Sequence, residues 1–295
     1  THETVYRYRT PVSFGEHQAM FRPRDSHDLR LVDAKLTLSP QGAVRWRHDV
    51  FGNSIALISF DEPAAELWLT SEIMIDHYAV PDPVIDLDDF AARLPFTYAA
   101  DDLPDLGRTI ERHYADPDRA IDAWARGFFT KPGVGNDTLA FVTALTRCIH
   151  ECFRYERREE IGVRHPLKTL QTRSGSCRDF ALLMMEALRS VGVAARFVSG
   201  YIYDPAVDDA VAGVQGAGAT HAWVQAYLPG AGWVEFDPTN GIIGNHNLIR
   251  VGVARDPSQA IPLQGTFTGA TDAFISMDAS VVVTAQKPPQ RAIAA

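Results

Sequence analysis

Three residues in the second half of the chain have the types that cysteine-dependent acyl transfer requires. Cys177 comes first, His221 follows forty-four residues later, and Asp237 comes sixteen residues after that. A thiolate can attack a carbonyl carbon, an imidazole can remove and return the proton, and a carboxylate can orient the imidazole. The prediction therefore depends on whether the fold brings the three side chains together.

The residues around Cys177 predict that it opens a helix. The segment from Thr172 to Ser176 is largely small and polar, and an apolar run at helical spacing follows in residues 180–191. Ser176 is expected to be the N-cap, which places Cys177 in the first turn. Unpaired amides and the helix dipole favour an anion there, so a thiolate forms more easily. The alternative is that Cys177 is a small buried core residue, as most free cysteines are.

His221 and Asp237 lie in segments that have the pattern of neighbouring strands. Apolar residues alternate with polar ones in residues 220–227 and again in residues 233–239. Because His221 is near the start of one strand and Asp237 near the end of the next, an antiparallel pairing would make them neighbours. A helix start that carries the thiol and faces this strand pair would complete a Cys-His-Asp triad.

The other two cysteines, Cys148 and Cys152, are expected to pack in the core. They are four residues apart in residues 138–154, which have the pattern of a helix, and helical neighbours at that spacing rarely form a good disulfide. Three cysteines are too few for a disulfide framework, and a reducing compartment, the cytoplasm, suits them. No tetrahedral zinc site assembles around them and no Asp-x-Asp-x-Asn-Gly calcium loop occurs. We therefore expect no metal and no other cofactor.

The composition is that of an ordinary globular protein. The chain has 295 residues, of which 46% are hydrophobic and 22% charged, and this length favours two domains. The formal net charge of -9 argues against binding to nucleic acid or to an anionic membrane by general electrostatics. No apolar run reaches the length of a membrane span and no signal peptide is recognisable.

The first part of the chain has the periodicity of strands. Up to about residue 80, apolar residues recur with a period of two and turn residues separate the runs. This pattern predicts two antiparallel sheets packed as a β-sandwich. Prolines and acidic residues in 80–105 indicate a linker. We therefore predict an N-terminal β domain over residues 1–90.

The second part mixes the two periodicities. Helical patterns occur in residues 118–129 and 138–154, and strand patterns return late in the chain, including residues 248–254 and 273–285. These segments predict an α+β catalytic domain over residues 91–295, with the last strands completing its sheet.

Two loops flank the predicted site. Residues 156–160 carry charges of both signs, which suits either a solvated loop or the rim of a cleft. Residues 204–219 are rich in glycine and directly precede His221. They suit a loop that covers the site as well as they suit an insertion at a surface turn.

The residues around these positions resemble a known family. The motif GSCRDFA at residues 175–181 and the block THAWVQAYLPGAGWVEFDPTNG at residues 220–241 closely resemble the transglutaminase-like superfamily, a papain-like group with a Cys-His-Asp triad. Its bacterial branch is usually described as cysteine proteases. The first eighty residues are similar to the N-terminal region that precedes many bacterial members, through Tyr6-x-Tyr8, Phe21-Arg22-Pro23-Arg24 and Asp49-x-Phe51-Gly52-Asn53.

The resemblance implies the fold of the site and the role of each of its three residues. It makes Cys177 the nucleophile, His221 the general base and acid, and Asp237 the residue that orients the imidazole. It also implies a papain-like core in which the helix that bears the cysteine packs on an antiparallel sheet that bears the histidine and the aspartate.

The resemblance does not settle which groups donate hydrogen bonds to the oxyanion. The backbone N–H of Cys177 should be one donor. Papain-type enzymes use a glutamine six residues before the nucleophile, and Gln171 has that offset, although it could equally be a surface residue. The tryptophan that transglutaminases proper use has no counterpart between Trp124 and Trp223. Tyr201 and Trp223 are expected to line the cleft, with Trp223 packed beside the histidine.

Three functions follow from this interpretation. The first is hydrolysis of a peptide or isopeptide bond by a cysteine peptidase or amidase, with a peptide or protein as substrate. The second is transamidation of protein glutamine through the same thioester, with an amine in place of water. The third is a non-catalytic module that binds peptides in the cleft, against which the intact set of Cys177, His221 and Asp237 argues. The sequence leaves the oligomeric state open.

Overall fold

The first part of the molecule consists of two antiparallel sheets. The structure, a computed structural model, describes residues 1–78, 83–158, 162–204 and 218–285. The first six strands are β1 (His2–Phe14), β2 (His17–Arg22), β3 (Leu29–Ser39), β4 (Gly42–His48), β5 (Ser54–Phe60) and β6 (Ala64–His77). One sheet contains β1, β6 and β3 in that order, and the other contains β2, β5 and β4.

The two sheets bury a shared apolar core. Alternate residues of the strands point inward, as the period of two requires. The core residues from both sheets are Tyr8, Val12, Phe14, Ala19, Phe21, Leu38, Ala56, Ile58, Leu67 and Leu69. The predicted β-sandwich is confirmed, and the alternating pattern in the sequence is its physical cause.

The second part combines helices with a five-stranded sheet. The helices are α1 (Asp102–Leu106), α2 (Ala120–Arg126), α3 (Thr138–Cys152), α4 (Pro166–Thr172) and α5 (Cys177–Ser190), and short 3₁₀ turns lie at Asp89–Ala91, Gly107–Thr109, Gly127–Thr130 and Pro257–Gln259. The strands are β7 (Arg154–Tyr155), β8 (Ser174–Gly175), β9 (Ala195–Ile202), β10 (His221–Leu228), β11 (Gly232–Asp237), β12 (Ile242–Ile243) and β13 (Leu248–Ala254). The antiparallel sheet has the order β12-β11-β10-β9-β13, while β7 and β8 form a separate parallel pair.

Helix α5 is the centre of this part. From Cys177 to Arg189 every residue except Arg178 is buried. The helix packs on β10 and β9 and is flanked by α2, α3 and α4. A helix enclosed on all sides keeps its position because its neighbours leave it little room to shift. The α+β class predicted from the sequence is confirmed.

The last strands return to the first part of the molecule. β14 (Leu263–Gln264) pairs with β2, whereas β15 (Phe267–Thr268) and β16 (Phe274–Val281) both pair with β1. The prediction that residues 273–285 complete the sheet of the second domain was therefore wrong, although residues 248–254 do join that sheet as β13. β16 covers the edge of β1 that β6 leaves free, and a covered edge cannot pair with another chain.

Side chains join the two parts. The amide of Asn53 donates to Val253 O at 2.7 Å and accepts from Val253 N at 2.9 Å, and Arg250 pairs with Asp28 at 3.4 Å. The domain boundary near residue 90 stays a prediction, and residues 79–82 of the predicted linker lie outside the described residues. Most of the predicted loop at 204–219 and the end of the charged segment at 156–160 also lie outside them. Within the described part of the chain, no helix has the length and apolarity needed to cross a bilayer.

Candidate active site

The predicted helix start at Cys177 is confirmed. α5 begins at Cys177, and Ser176 is its N-cap with an extended backbone conformation. Cys177 is buried, with 6% of its surface exposed. The thiol therefore lies in the first turn, where backbone N–H groups have no intrahelical acceptor and the helix dipole favours a negative charge.

Asp179 holds the start of this helix in place. Its Oδ2 accepts hydrogen bonds from Ser176 N at 2.9 Å and Ser176 Oγ at 3.0 Å, and Arg158 reaches both carboxylate oxygens at 2.8 Å. The N–H of Arg164 adds a bond of 2.6 Å to Oδ1. Burial by itself raises the pKa of Asp179, but Arg158 and these N–H donors outweigh it, and the pKa is lowered overall. The carboxylate therefore ties the segment before the helix to the turn that carries the thiol.

β10 and β11 place His221 beside Asp237. In the antiparallel pairing of β10 with β11, Val224 lies opposite Phe236 and Gln225 opposite Glu235. His221, at the start of β10, therefore lies near the end of β11. His221 Nε2–H donates to Asp237 Oδ2 at 2.8 Å, and both side chains are fully buried. The predicted antiparallel pairing is confirmed.

The electrostatics of this pair favour the charged forms of both groups. Burial by itself lowers the pKa of His221, but the charge of Asp237 and the hydrogen bond to it raise the pKa to about 10. Burial opposes ionisation of Asp237 as well, and the charge of His221 outweighs it, so that the pKa of Asp237 is lowered. Thr239 N donates to Oδ1 at 2.8 Å and Asn240 Nδ2 to Oδ2 at 2.9 Å, which helps to keep the carboxylate ionised.

Cys177 is close enough to the imidazole of His221 to act on it electrostatically. The nitrogen that Asp237 does not engage, His221 Nδ1, is buried and has no hydrogen-bond partner among the described residues. The nearby Cys177 thiol helps to raise the pKa of His221. One ring nitrogen is thus hydrogen-bonded to a carboxylate, and the other makes no hydrogen bond to a described residue.

Neither of the two predicted cleft residues lines an open cleft. Trp223 is fully buried and stacks on His221 with ring centroids 5.8 Å apart. Tyr201 is also buried, and its hydroxyl is hydrogen-bonded to Nδ1 of His2 at 2.9 Å. Trp223 therefore shields the imidazole, as the packing part of the prediction expected. Tyr201 instead contacts the first strand of the sandwich.

The structure does not bring Gln171 into the buried group. It lies on α4, its side chain is exposed, and it forms no hydrogen bond with a described residue. Arg173, which has a left-handed backbone conformation, separates α4 from β8 and Cys177. The predicted oxyanion role of Gln171 thus has no support in the geometry.

Two residues near the site were missed. Asn240 supports Asp237, and its place in the motif DPTNG next to the aspartate was a signal for this role. Tyr155 belongs to β7, and its hydroxyl is within electrostatic range of Cys177 and Asp237. The sequence carries no comparable signal for Tyr155, because a two-residue strand has no periodicity.

The described residues offer no metal centre beside these groups. Within residues 1–78, 83–158, 162–204 and 218–285, no three His, Cys, Asp or Glu side chains are grouped in a way that could hold a metal ion. A cavity of about 760 Å³ lies between the sandwich and the sheet, where it is lined by Arg196, Trp233 and Arg250 among others. The lining of this cavity includes none of Cys177, His221 and Asp237.

Comparisons with known proteins match the two parts of the chain separately. Residues 129–238 match the transglutaminase-like superfamily, and residues 1–76 match the bacterial transglutaminase-like N-terminal region. The uncharacterized protein ML0607 of Mycobacterium leprae is 26% identical over 92% of this chain and 94% of its own length. The uncharacterized protein Rv2569c of Mycobacterium tuberculosis H37Rv is 29% identical over 96% of this chain and 91% of its own length.

A solved structure shows the same fold. The crystal structure of a candidate cysteine protease from Cytophaga hutchinsonii superposes with a TM-score of 0.64 at 19% identity, and the match covers 97% of this chain and 91% of that chain. It spans the sandwich, the sheet and the returning C-terminal strands together. Residues 129–238 of this chain are thus similar to the transglutaminase-like superfamily, and residues 1–76 before them are similar to the bacterial transglutaminase-like N-terminal region.

Proposed function

We propose that this protein is a cysteine peptidase or amidase that hydrolyses a peptide or isopeptide bond through a thioester. The observation that carries the proposal is the buried pair of His221 and Asp237, 2.8 Å apart, beside a cysteine at a helix start. The similarity of residues 129–238 to the transglutaminase-like superfamily supports catalysis by a cysteine. The substrate is expected to be a peptide or a protein.

The reaction follows from the positions of the three side chains. His221 takes the thiol proton, and the Cys177 sulfur attacks the amide carbon to form a tetrahedral adduct. The C–N bond then breaks, the amine leaves with the proton from His221, and a thioester remains on Cys177. Water, deprotonated by His221, releases the acid and restores the thiol. Asp237 keeps the imidazole oriented and favours its charged form throughout.

The nature of the second nucleophile is tested by product analysis. The purified protein is incubated with a library of peptides and isopeptides, with and without a small primary amine, and products are identified by mass spectrometry. Hydrolysis predicts a free acid whose yield falls little when the amine is present. Incorporation of the amine as the main product would instead establish transamidation. Cys177→Ala is the control, and equal turnover by this variant would refute a cysteine enzyme altogether.

Cys177 is expected to react with an alkylating agent at a pH where the other two thiols do not. An ordinary thiol is ionised to less than about 1% at pH 6. Asp237 stabilises a positive charge on His221, and this charge is close to Cys177, where it attracts the negative charge of a reacting sulfur. Brief treatment with iodoacetamide at pH 6, followed by peptide mapping, should find the label at Cys177.

Cys148 and Cys152 provide internal controls for this labelling. Cys148 is partly exposed, and Cys152 is exposed rather than packed in the core, which corrects its predicted role. Cys148 should become labelled only at higher pH, because burial and then the neighbouring Cys152 raise the pKa of its thiol. Preferential labelling of Cys152 at pH 6 would show that accessibility, not activation, decides reactivity here.

A further inference from the structure

The reaction proposed above needs two hydrogen-bond donors for the oxyanion. The N–H of Cys177 is available because a first-turn N–H has no intrahelical acceptor. Gln171 is exposed on α4, so it does not provide the second donor. Trp223 stacks on His221, and its buried Nε1–H has no hydrogen-bond partner among the described residues, so this N–H is one candidate. The other candidate is the hydroxyl of Tyr155, which lies within electrostatic range of Cys177.

Backbone hydrogen bonds fix Tyr155 beside the nucleophile. β7 and β8 run parallel, with Tyr155 paired to Gly175, which is two residues before Cys177. Arg154 N donates to Arg173 O and Glu156 N to Gly175 O, each at 2.8 Å. The segment that ends in Cys177 and the backbone of Tyr155 therefore form one rigid unit.

The side chain of Tyr155 packs against the same apolar core as Cys177. Its ring is half-buried there. Its hydroxyl makes no hydrogen bond with any residue that the structure describes. The charges of Cys177 and Asp237 act on this hydroxyl, as do those of Arg157 and Arg178. Burial and, after it, Cys177 raise the pKa of Tyr155 to about 12, so the hydroxyl keeps its proton and remains a donor at neutral pH.

We propose that the Tyr155 hydroxyl is the second oxyanion donor and therefore a catalytic residue of this site. When the Cys177 sulfur bonds to the amide carbon, the π electrons of the carbonyl move to oxygen. The Tyr155 O–H and the Cys177 N–H both donate to that oxygen. Tyr155 keeps its proton throughout, and when the adduct collapses the electron pair returns to the carbonyl and the C–N bond breaks. The donor thus lowers the barrier without entering the proton transfers of His221.

Tyr155→Phe tests the hydroxyl alone, because the ring and its packing remain. Loss of one oxyanion donor should lower kcat by about 10²-fold, with little change in KM. Binding of a peptidyl aldehyde, whose adduct with Cys177 carries the same oxyanion, should weaken by a similar factor. Alkylation of Cys177 by iodoacetamide forms no oxyanion, so its rate at pH 6 should stay that of the parent. A merely structural tyrosine would change all three measurements or none.

Tyr6→Phe is the matched control. Tyr6 lies on β1 in the sandwich, and burial raises the pKa of its hydroxyl to about 12 as well, so the same atom is removed from a similar environment far from the thiol. It should leave kcat and aldehyde binding at parent levels. The donor role would be overturned if Tyr155→Phe kept the kcat and the aldehyde binding of the parent. It would also be overturned if the rate of Cys177 alkylation in this variant fell by the same factor as kcat.

These outcomes are separate from failure of the proposed function. If Cys177→Ala keeps the turnover of the parent, the cysteine mechanism is wrong whatever Tyr155 does. If Cys177→Ala is inactive and Tyr155→Phe is fully active, only the donor assignment fails. Aldehyde binding is measured as protection of Cys177 from iodoacetamide, so this measurement does not depend on identifying the natural substrate.

Discussion

Replacement of Asp237 by alanine should lower the turnover of an amide substrate by about 10²–10⁴-fold. Asp237 accepts the only hydrogen bond that the His221 side chain makes to a described residue, at 2.8 Å. Without this acceptor the imidazole loses both its orientation and the charge that stabilises its protonated form. Turnover is measured on a substrate found by the product analysis above, and thermal unfolding shows that the variant is folded.

The pH dependence of Cys177 alkylation shows the cause of this loss. The pKa of His221 is raised from 6.5 to about 10 in the folded protein, so the imidazolium is present throughout that interval and is lost as the pH rises through 10. In Asp237→Ala, burial is no longer opposed by Asp237, and the pKa of His221 should fall. At neutral pH the imidazolium, and the thiolate paired with it, should then no longer be present. The rate of alkylation should instead rise with pH as it does for an ordinary thiol, whose pKa is about 8.5.

Two further variants bracket the effect. Asp237→Asn keeps a hydrogen bond but removes the charge, and papain-like enzymes with asparagine at this position exist, so its loss should be smaller than that of Asp237→Ala. His221→Ala removes the base itself and is the reference for complete loss of activation. If Asp237→Ala and His221→Ala both alkylate with the pH profile of the parent, the three residues do not act as one unit. The peptidase proposal would then be wrong.

Replacement of Glu186 by alanine should destabilise the fold by about 3–5 kcal/mol. Glu186 is buried on α5 and accepts hydrogen bonds from Arg112 Nε at 3.0 Å and Arg189 Nη1 at 3.1 Å. The N–H groups of His113 and Tyr114 also donate to it, at 3.2 and 3.3 Å. Its removal would leave the fully buried Arg189 side chain without its carboxylate partner.

Urea unfolding of matched variants measures this contribution. Glu186→Gln keeps the shape of the side chain and one of its two acceptor oxygens, so it should lose less stability than Glu186→Ala. Glu111→Ala is the control, because Glu111 and Arg108 form an exposed pair at 2.9 Å, with 58% and 64% of their side chains accessible. Removal of such a pair should change the free energy of unfolding by less than about 1 kcal/mol. A change of that size in Glu186→Ala would mean that this buried network contributes little to stability.

The start of the helix at Cys177 could be predicted because its determinants are local. Ser176 precedes an apolar run at helical spacing, and that combination suits a capped, buried helix and little else. The closeness of His221 and Asp237 could also be predicted. A short turn joins two alternating segments, and an antiparallel pairing then places the two side chains on the same face.

The tertiary structure decided the features that depend on which surfaces meet. The pattern of residues 274–281 identifies a strand, but periodicity does not say which edge it joins, and the free edge that it covers belongs to β1. Gln171 has the sequence offset of an oxyanion donor, yet it lies on the exposed side of α4. Tyr201 and Trp223 were expected at a cleft, but the sandwich and the imidazole bury them.

Tyr155 shows most clearly why contacts between distant residues could not be predicted from the sequence. Its strand is two residues long and its pairing with Gly175 is parallel, so no local pattern connects it with Cys177. A sequence specifies a helix or a hairpin through neighbours along the chain, where spacing alone brings side chains together. Which distant side chain lies against Cys177 depends on how the whole core packs, and no local spacing in the sequence shows this.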